Sequence, residues 1–315
     1  MTRKTILPHE IEIMEYEQAI GQMQEQKVWD PEDLKRLQDK LILLRKKAYS
    51  KLSAWERVQI SRHPNRPKAK DYLEALFTDF VELFGDRTFG DDHAIITGLG
   101  KLNGIKCAIV AQEKGEDTEA RVYRNFGMAH PEGFRKAKRV MQLAEKFDLP
   151  IITFIDTPGA YPGLSAEERG QGCAIAENLY AMAKLQVPII CVIIGEGCSG
   201  GALAIGMGNS VGMLENAYYS VISPEGCASI LYKDANKKDV AAKKLKLLAE
   251  DLIQFNVIDE IIKEPIGGAH LDAKLTFENT KTFLLATIEK FSKLSKEALV
   301  EQRYQKYRNI GVYQS

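Results

Sequence analysis

Gly195-Glu196-Gly197-Cys198-Ser199-Gly200-Gly201 places four glycines in seven residues, between an apolar run and a stretch that reads as a helix start. Adjacent glycines let a ligand oxygen approach backbone N–H groups without meeting a Cβ. The free N–H groups of a helix start carry partial positive charge. Such a turn can hold a phosphate, or an oxyanion that forms during reaction. A rival chemistry fits the same residues. Gly197-x-Ser199-x-Gly201 matches the nucleophile elbow of hydrolases, and Asp259 and His270 follow in the right chain order. A five-residue pattern with three small residues arises easily by chance, however, and nothing ties His270 to Ser199. A helix N-cap is the preferred role for Ser199. Glu196 is a candidate general base, or else orients the turn through backbone N–H groups.

Two further turns share the plan. Asp156-Thr157-Pro158-Gly159-Ala160-Tyr161-Pro162-Gly163 follows one apolar run, and Ser223-Pro224-Glu225-Gly226 leads into another helix-like segment. Asp156 sits at a strand end, where a carboxylate either does chemistry or caps a turn. His93 and His130 are single loop histidines without an identifiable partner. Arg121, Arg124 and Asn125 beside Phe126-Gly127-Met128 either line a pocket or belong to a solvated loop. Neither H-E-x-x-H, an EF-hand nor a Walker A pattern occurs, and no lysine stands in a biotin-attachment motif.

The elements around these turns alternate. Val187-Pro188 with Ile189 to Ile194, and Leu149 to Ile155, are β-branched-rich runs that read as strands buried on both faces. A helix start at Ala202–Ile205 follows the first. The second is followed by Ser165 as N-cap, with Glu168 completing a capping box, and a helix through Ala174, Leu179 and Leu185. Repeated helix–strand–loop units imply parallel strands. Ala94–Leu99 and Ile105–Ala111 around Asn103-Gly104 read as a hairpin. Tyr72, Leu73, Leu76, Phe77, Phe80, Val81 and Phe84 read as one amphipathic helix, ended by Gly85-Asp86-Arg87. Pro131-Glu132 opens a helix whose basic face (Arg135, Lys136, Lys138, Arg139) reads as solvated. Val211–Leu214, Tyr218–Ile222 and Val257–Ile262 read as strands, and 238–255, 275–294 and 296–309 as helices.

At the N-terminal end, 9–28 reads as a polar helix. Asp30-Pro31-Glu32-Asp33 starts another, with an apolar seam of Leu34, Leu37, Leu41, Leu44 and Ala48. The seam suits an arm that docks on a partner, or an antiparallel hairpin packed on its own domain. His63-Pro64-Asn65-Arg66-Pro67 is the clearest break. The expected organisation is a helical arm over 1–62, a main domain over 63–295 and a helical tail over 296–315.

With 315 residues the chain can bury a large core. Lys+Arg and Asp+Glu both number 43, so no basic excess points to nucleic acid. The Met1–His9 start lacks a signal-peptide run and no apolar run approaches a membrane span, which suggests a cytoplasmic protein. Five cysteines without C-x-x-C spacing suit buried thiols in a reducing compartment and support no zinc ribbon.

Taken together, several segments carry a resemblance. They are Arg124-Asn125-Phe126-Gly127-Met128, Pro131-Glu132-Gly133, the 156–163 loop, Glu167-Glu168-Arg169-Gly170-Gln171, Ser199-Gly200-Gly201-Ala202-Leu203-Ala204, Ile222 through Leu231, and Pro265 through His270. In these segments, and over nearly its whole length, the chain resembles the α subunit of bacterial-type acetyl-CoA carboxylase carboxyltransferase. It departs from that family's usual pattern at Cys198, where glycine is usual, and at Ala129-His130, where Pro-Ala is common.

The resemblance implies an α/β, crotonase-like spiral of ββα units with an N-terminal helical extension. It implies a site shared with a β subunit, usually as α2β2. There carboxybiotin, on a separate biotin carboxyl carrier protein, gives its carboxyl group to acetyl-CoA, forming malonyl-CoA for fatty-acid synthesis. ATP belongs to the partner biotin carboxylase, and the family's zinc ribbon to the β subunit, so no metal is expected here. By resemblance, the N–H groups of Gly200 and Gly201 stabilise the charge that develops on the ureido oxygen; losing one such donor costs on the order of 3 kcal/mol. Gly159, Ala160 and Tyr161, with Pro224, Glu225 and Gly226, would shape the biotin pocket. The biotin anion can take the acetyl-CoA proton itself, so no protein base is required. The alternatives are a serine hydrolase using Ser199, a non-catalytic crotonase-like assembly subunit, and a biotin-dependent decarboxylase of the same fold.

Overall fold

The structure, a computed structural model, describes residues 11–26 and 30–311. The first ten residues, 27–29 and 312–315 lie outside it, and with them the ends of the expected 9–28 helix and of the tail. Helices α1 (Ile11–Gln26), α2 (Pro31–Tyr49) and α3 (Ala54–Ser61) come first, followed by α4 (Ala69–Leu76) and strands β1 (Phe77–Glu82), β2 (Ile95–Leu102) and β3 (Ile105–Gln112). Next are α5 (Thr118–Tyr123), α6 (Pro131–Lys146), β4 (Ile151–Thr157), α7 (Leu164–Glu168), α8 (Gln171–Lys184), β5 (Ile189–Cys198) and α9 (Ser199–Leu203). The chain continues through β6 (Ser210–Leu214), β7 (Tyr218–Ser220), α10 (Pro224–Tyr232), α11 (Lys238–Leu245), α12 (Ala249–Gln254), β8 (Glu260–Ile262), α13 (Ala273–Phe291) and α14 (Lys296–Arg308).

One sheet runs β1-β2-β3-β4-β5-β6-β8. The first two pairings are antiparallel and the rest parallel. The β2–β3 hairpin turns at Asn103 (φ 50°) and Gly104 (φ 84°), the two left-handed residues that a tight hairpin of this twist demands. Strands β4 and β5 are buried at every position, as parallel strands covered by helices on both faces must be. Strand β5 outlasts its neighbour. Its first half pairs with β6 (Ile190 with Ser210), and its last three residues pair with β7 (Glu196 with Tyr218). This handover turns the flat order of the sheet into a spiral and leaves the end of β5 enclosed.

The expected helix from Tyr72 to Phe84 is two elements. The helix stops at Leu76, and Phe77 enters β1 opposite Leu102, because edge pairing to β2 outweighs continued helix. Val81 and Phe84 are consequently exposed, not part of a buried face. The 238–255 helix is likewise broken, at Lys246 (φ 53°). There Leu247 turns its carbonyl to the Tyr219 N–H. Ser165 caps nothing: Gly163 stands at the N-cap of α7, and Glu168 is its last residue. The polar 113–131 stretch contains α5, capped by Asp117.

The basic face of α6 is neither solvated nor free for a ligand. Arg135 pairs with Asp86, fully buried Lys136 with Asp91, Lys138 with Glu177, and Arg139 donates to the Phe84 and Gly85 carbonyls. The bonds of Arg135, Lys136 and Arg139 strap the 84–92 loop to α6, and the Lys138–Glu177 pair ties α6 to α8. Helices α1 and α2 pack on each other, with Arg45 bonded to Glu17 and Lys40 over Tyr16. Arg303 of α14 is fully buried. It donates to the carbonyls of Met182, Leu185 and Val187 and to Asn209 Oδ1, closing the turn between α8 and β5. No helix of the described residues is long and apolar enough to cross a membrane.

Candidate active site

The ends of β4 and β5 lie side by side, with Thr157 opposite Gly197. Each then leaves the sheet in its glycine-containing turn. Gly201 packs on the backbone of Gly159 and Ala160; a Cβ at 201 would fall 2.6 Å from the Ala160 nitrogen. The structure thus joins Gly201 to Gly159 and Ala160, residues far apart in sequence. Gly200 is different: a Cβ there would meet only Ile175, at 3.3 Å from a terminal methyl. The Gly201 carbonyl accepts a 2.7 Å bond from buried Gln112 Nε2 at the end of β3. The Thr157 hydroxyl accepts from the Gly159 N–H at 3.0 Å and lies 2.7 Å from the Gly127 and Gly159 carbonyls, donating to one at a time.

Tyr161 follows in the same loop. Its N–H donates to the Ala129 carbonyl, and its ring stacks on His130 with centroids 4.0 Å apart. Arg169 braces the back of this pair, ion-paired to Glu132 and 3.0 Å from His130 Nδ1. Ser223 caps α10 by accepting from the Gly226 N–H, with Pro224 at the first helical position. Glu225 reaches inward to Arg62 at 2.5 Å.

Behind the turn lies a charge network. Glu196 Oε1 accepts from Arg62 at 2.6 Å and from the Tyr218 hydroxyl at 2.7 Å, and its other oxygen takes Lys114. Lys114 also pairs with Asp156 at 2.7 Å, and Asp156 accepts the Glu196 N–H at 2.9 Å. Burial alone would push the Glu196 carboxyl up, but Lys114 and Arg62 outweigh it and hold it down at about 2. A carboxylate so firmly ionised and fully engaged is a poor general base. Its role is structural, and Asp156, not Glu196, orients the turn by accepting a backbone N–H.

The hydrolase reading loses its parts. Ser199 is not an N-cap; Cys198 is, and Ser199 opens α9 with φ 56°. Asp259 is committed to the Val211 N–H and Lys306, and His270 stacks on His63 at 3.9 Å. Cys198 is buried, and burial pushes its thiol up to about 11. Among the described residues no cluster of three or more His, Cys, Asp or Glu is arranged to hold a metal.

Sequence reasoning missed Arg62, Gln112, Lys114 and Tyr218. Gln112 carried a signal, since it is the polar residue that ends the Ile109-Val110-Ala111 run at the same strand edge as Asp156 and Glu196.

The chain shares the crotonase-like fold of solved carboxyltransferases. It superposes on a transcarboxylase 12S structure with TM-score 0.60 at 18% identity, over 75% of this chain and 44% of that one. A Pseudomonas malonate decarboxylase hetero-tetramer gives TM-score 0.57 at 16% identity, over 68% and 86%. In sequence the likeness is far closer. The chain is 56% identical over 311 residues, 98% of each protein, to the acetyl-coenzyme A carboxylase carboxyl transferase subunit alpha of Protochlamydia amoebophila (strain UWE25). With residues 6–311 matching the acetyl co-enzyme A carboxylase carboxyltransferase-like family, the chain belongs to that family.

Proposed function

We propose that the chain is the alpha half of a two-subunit carboxyltransferase that moves a carboxyl group from carboxybiotin to acetyl-CoA, giving malonyl-CoA for fatty-acid synthesis. The beta subunit completes the site, a separate carrier protein delivers the biotin, and ATP is used only by the partner biotin carboxylase. The work is cytoplasmic.

The observation that carries this reading is the bracing of the glycine turn. Gly201 rests on Gly159 and Ala160, and its carbonyl is tied to Gln112. The N–H groups of Gly200 and Gly201 lie in the first turn of α9, where no intrahelical acceptor exists. They are therefore donors held in place before any ligand arrives, the condition under which a developing oxyanion is stabilised most. The fit to biotin rests on Gly200, which is only partly buried and carries no side chain, so a flat ureido group can approach its N–H; Tyr161 and the start of α10 would supply the walls. Biotin supplies the ureido group that carries and releases the carboxyl. Gly200 and Gly201 donate to the ureido oxygen, and Tyr161, with the 224–226 turn, orients the ring and excludes water.

The test is co-expression with a beta subunit from the same genome and an assay of biotin-dependent malonyl-CoA formation, with wild type beside Gly200→Val. Activity is expected only in the pair, and is expected to fall at least about tenfold in the variant while the pair still assembles. Full activity in Gly200→Val would remove the glycine turn from the mechanism. Activity of this chain alone would overturn the two-subunit reading.

A further inference from the structure

Next to the charge network is a cavity of ≈ 310 Å³, lined by Arg62, Lys68, Lys114 and Arg121 together with Asp156 and Glu196. It borders the glycine turn through Pro158, the neighbour of Gly159, but the turn's own donors are not part of its lining. Its charges are unevenly matched. Glu196 and Asp156 are occupied by Arg62 and Lys114, and Arg62 is further paired to Glu225. Lys68 and Arg121 have no carboxylate partner among the described residues. Lys68 is 7% exposed, and its ammonium donates only to the Arg66 carbonyl at 2.7 Å and the Pro64 carbonyl at 3.3 Å. An ammonium has three N–H bonds, so one is left over. Arg121 makes one long bond, from Nε to the Gly115 carbonyl at 3.4 Å.

A buried ammonium facing other cations is a costly arrangement. Burial lowers the Lys68 pKa; Asp156 opposes this, while Lys114, Arg66 and Arg121 add to it. An anion in the cavity would reverse that imbalance. The rim shows strain as well. Asn125 (φ 48°) and Phe126 (φ 55°) are consecutive left-handed residues, a backbone that L side chains avoid and that collects at functional sites. The strain carries the Phe126 ring, 47% exposed, onto the cavity wall.

We infer that this cavity binds an oxyanionic group, a carboxylate or a phosphate, between the Lys68 ammonium and the Arg121 guanidinium, with the Phe126 ring as one wall. The guanidinium fork suits two oxygens of one group, and the ammonium adds a point charge from the buried side. The cavity volume is about ten times a water's share of the liquid, enough for such a group and part of the molecule bearing it. The groups that hold the anion are charged side chains, not the backbone donors of the glycine turn, so this site is independent of the proposed reaction.

Calorimetric titration of the full chain with sodium malonate, bicarbonate and inorganic phosphate, at constant ionic strength, tests it. The expected result is saturable binding of at least one probe at one per chain, weakened about tenfold in Arg121→Gln. Arg121 lies at the partly exposed side, so that variant is expected to keep the wild-type melting curve; Lys68→Met is the companion, used where its melting curve is also retained. Tighter binding of malonate or bicarbonate identifies a carboxylate, tighter binding of phosphate a phosphoryl group, and either upholds the site. No saturable binding, or equal affinity in wild type and Arg121→Gln, overturns it.

Discussion

Gly201 lies so close to Gly159 that a methyl group on it would sit 2.5 Å from the Gly159 carbonyl carbon. Two turns at the ends of neighbouring strands are therefore one rigid object. Gly201→Ala is expected to push them apart, destabilising the protein by about 1–3 kcal/mol, the usual cost of overpacking, and to lower activity with it. Gly200→Ala, whose added methyl meets only Ile175, is expected to leave the melting temperature nearly unchanged. Thermal melts of the two variants side by side check this, and equal stability would contradict the packing.

Glu196 is held ionised by Lys114 and Arg62 against its own burial, with its carboxyl moved from 4.5 to about 2. A carboxyl depressed on folding contributes stability that is fully present above its unfolded value and is lost as pH falls through the folded one. The wild type is therefore expected to lose stability between pH 4.5 and about 2 in part through this group. Glu196→Gln should be less stable at pH 7 and show a shallower decline over that window. Urea unfolding at a series of pH values provides the comparison.

Arg66 and Glu264 form a fully buried bidentate pair at 2.9 and 2.6 Å, with Arg66 Nε also donating to the Ile194 carbonyl. Removing one partner strands the other charge. Arg66→Met is expected to cost about 3–5 kcal/mol, and Arg66→Met with Glu264→Gln less than the sum of the single changes. A double-mutant cycle measured by urea unfolding would show additivity if the pair were unimportant.

Cysteine reactivity distinguishes the buried turn from the surface. Of the five thiols only Cys173 is exposed, and burial pushes Cys107, Cys191 and Cys198 each up to about 11. At pH 7 the native chain is expected to react quickly with iodoacetamide at Cys173 alone, and at all five in denaturant. Mass spectrometry locates the adducts; rapid labelling of Cys198 would mean that the turn opens.

Ser199 is expected to be dispensable. Ser199→Ala should retain carboxyl transfer within about twofold, and a fluorophosphonate probe should leave the folded chain unlabelled, since neither Asp259 nor His270 is available to activate the hydroxyl. Stoichiometric labelling at Ser199 would revive the hydrolase reading.

The strands and turns of the site were legible because their sequence is extreme. Ile189 to Ile194 admits little but a buried parallel strand, and Asn103-Gly104 little but a hairpin. Phe77, Phe80, Val81 and Phe84 misled because their spacing fits a helix while the decisive partner, β2, lies elsewhere in the chain. The same holds for the site. Gly200 and Gly201 announced themselves locally. Arg62 and Lys114 are ordinary basic residues in sequence, and become a network with Glu196 and Asp156 only when the segments after α3 and β3 converge on the ends of β4 and β5. Long-range ion pairs leave no periodicity to read, and the basic face of α6 looked solvated for the same reason.

Arg303 also bears on the order of events during synthesis. The carbonyls it caps, at Met182, Leu185 and Val187, precede it by 121, 118 and 116 residues. Until the ribosome delivers α14, the turn feeding β5 lacks its plug, although every strand that pairs with β5 has already been made. A nascent chain halted before residue 303 therefore holds all eight strands while the Met182, Leu185 and Val187 carbonyls stand without the side chain that caps them, so the entry to the central strand is the last part of the sheet to be completed.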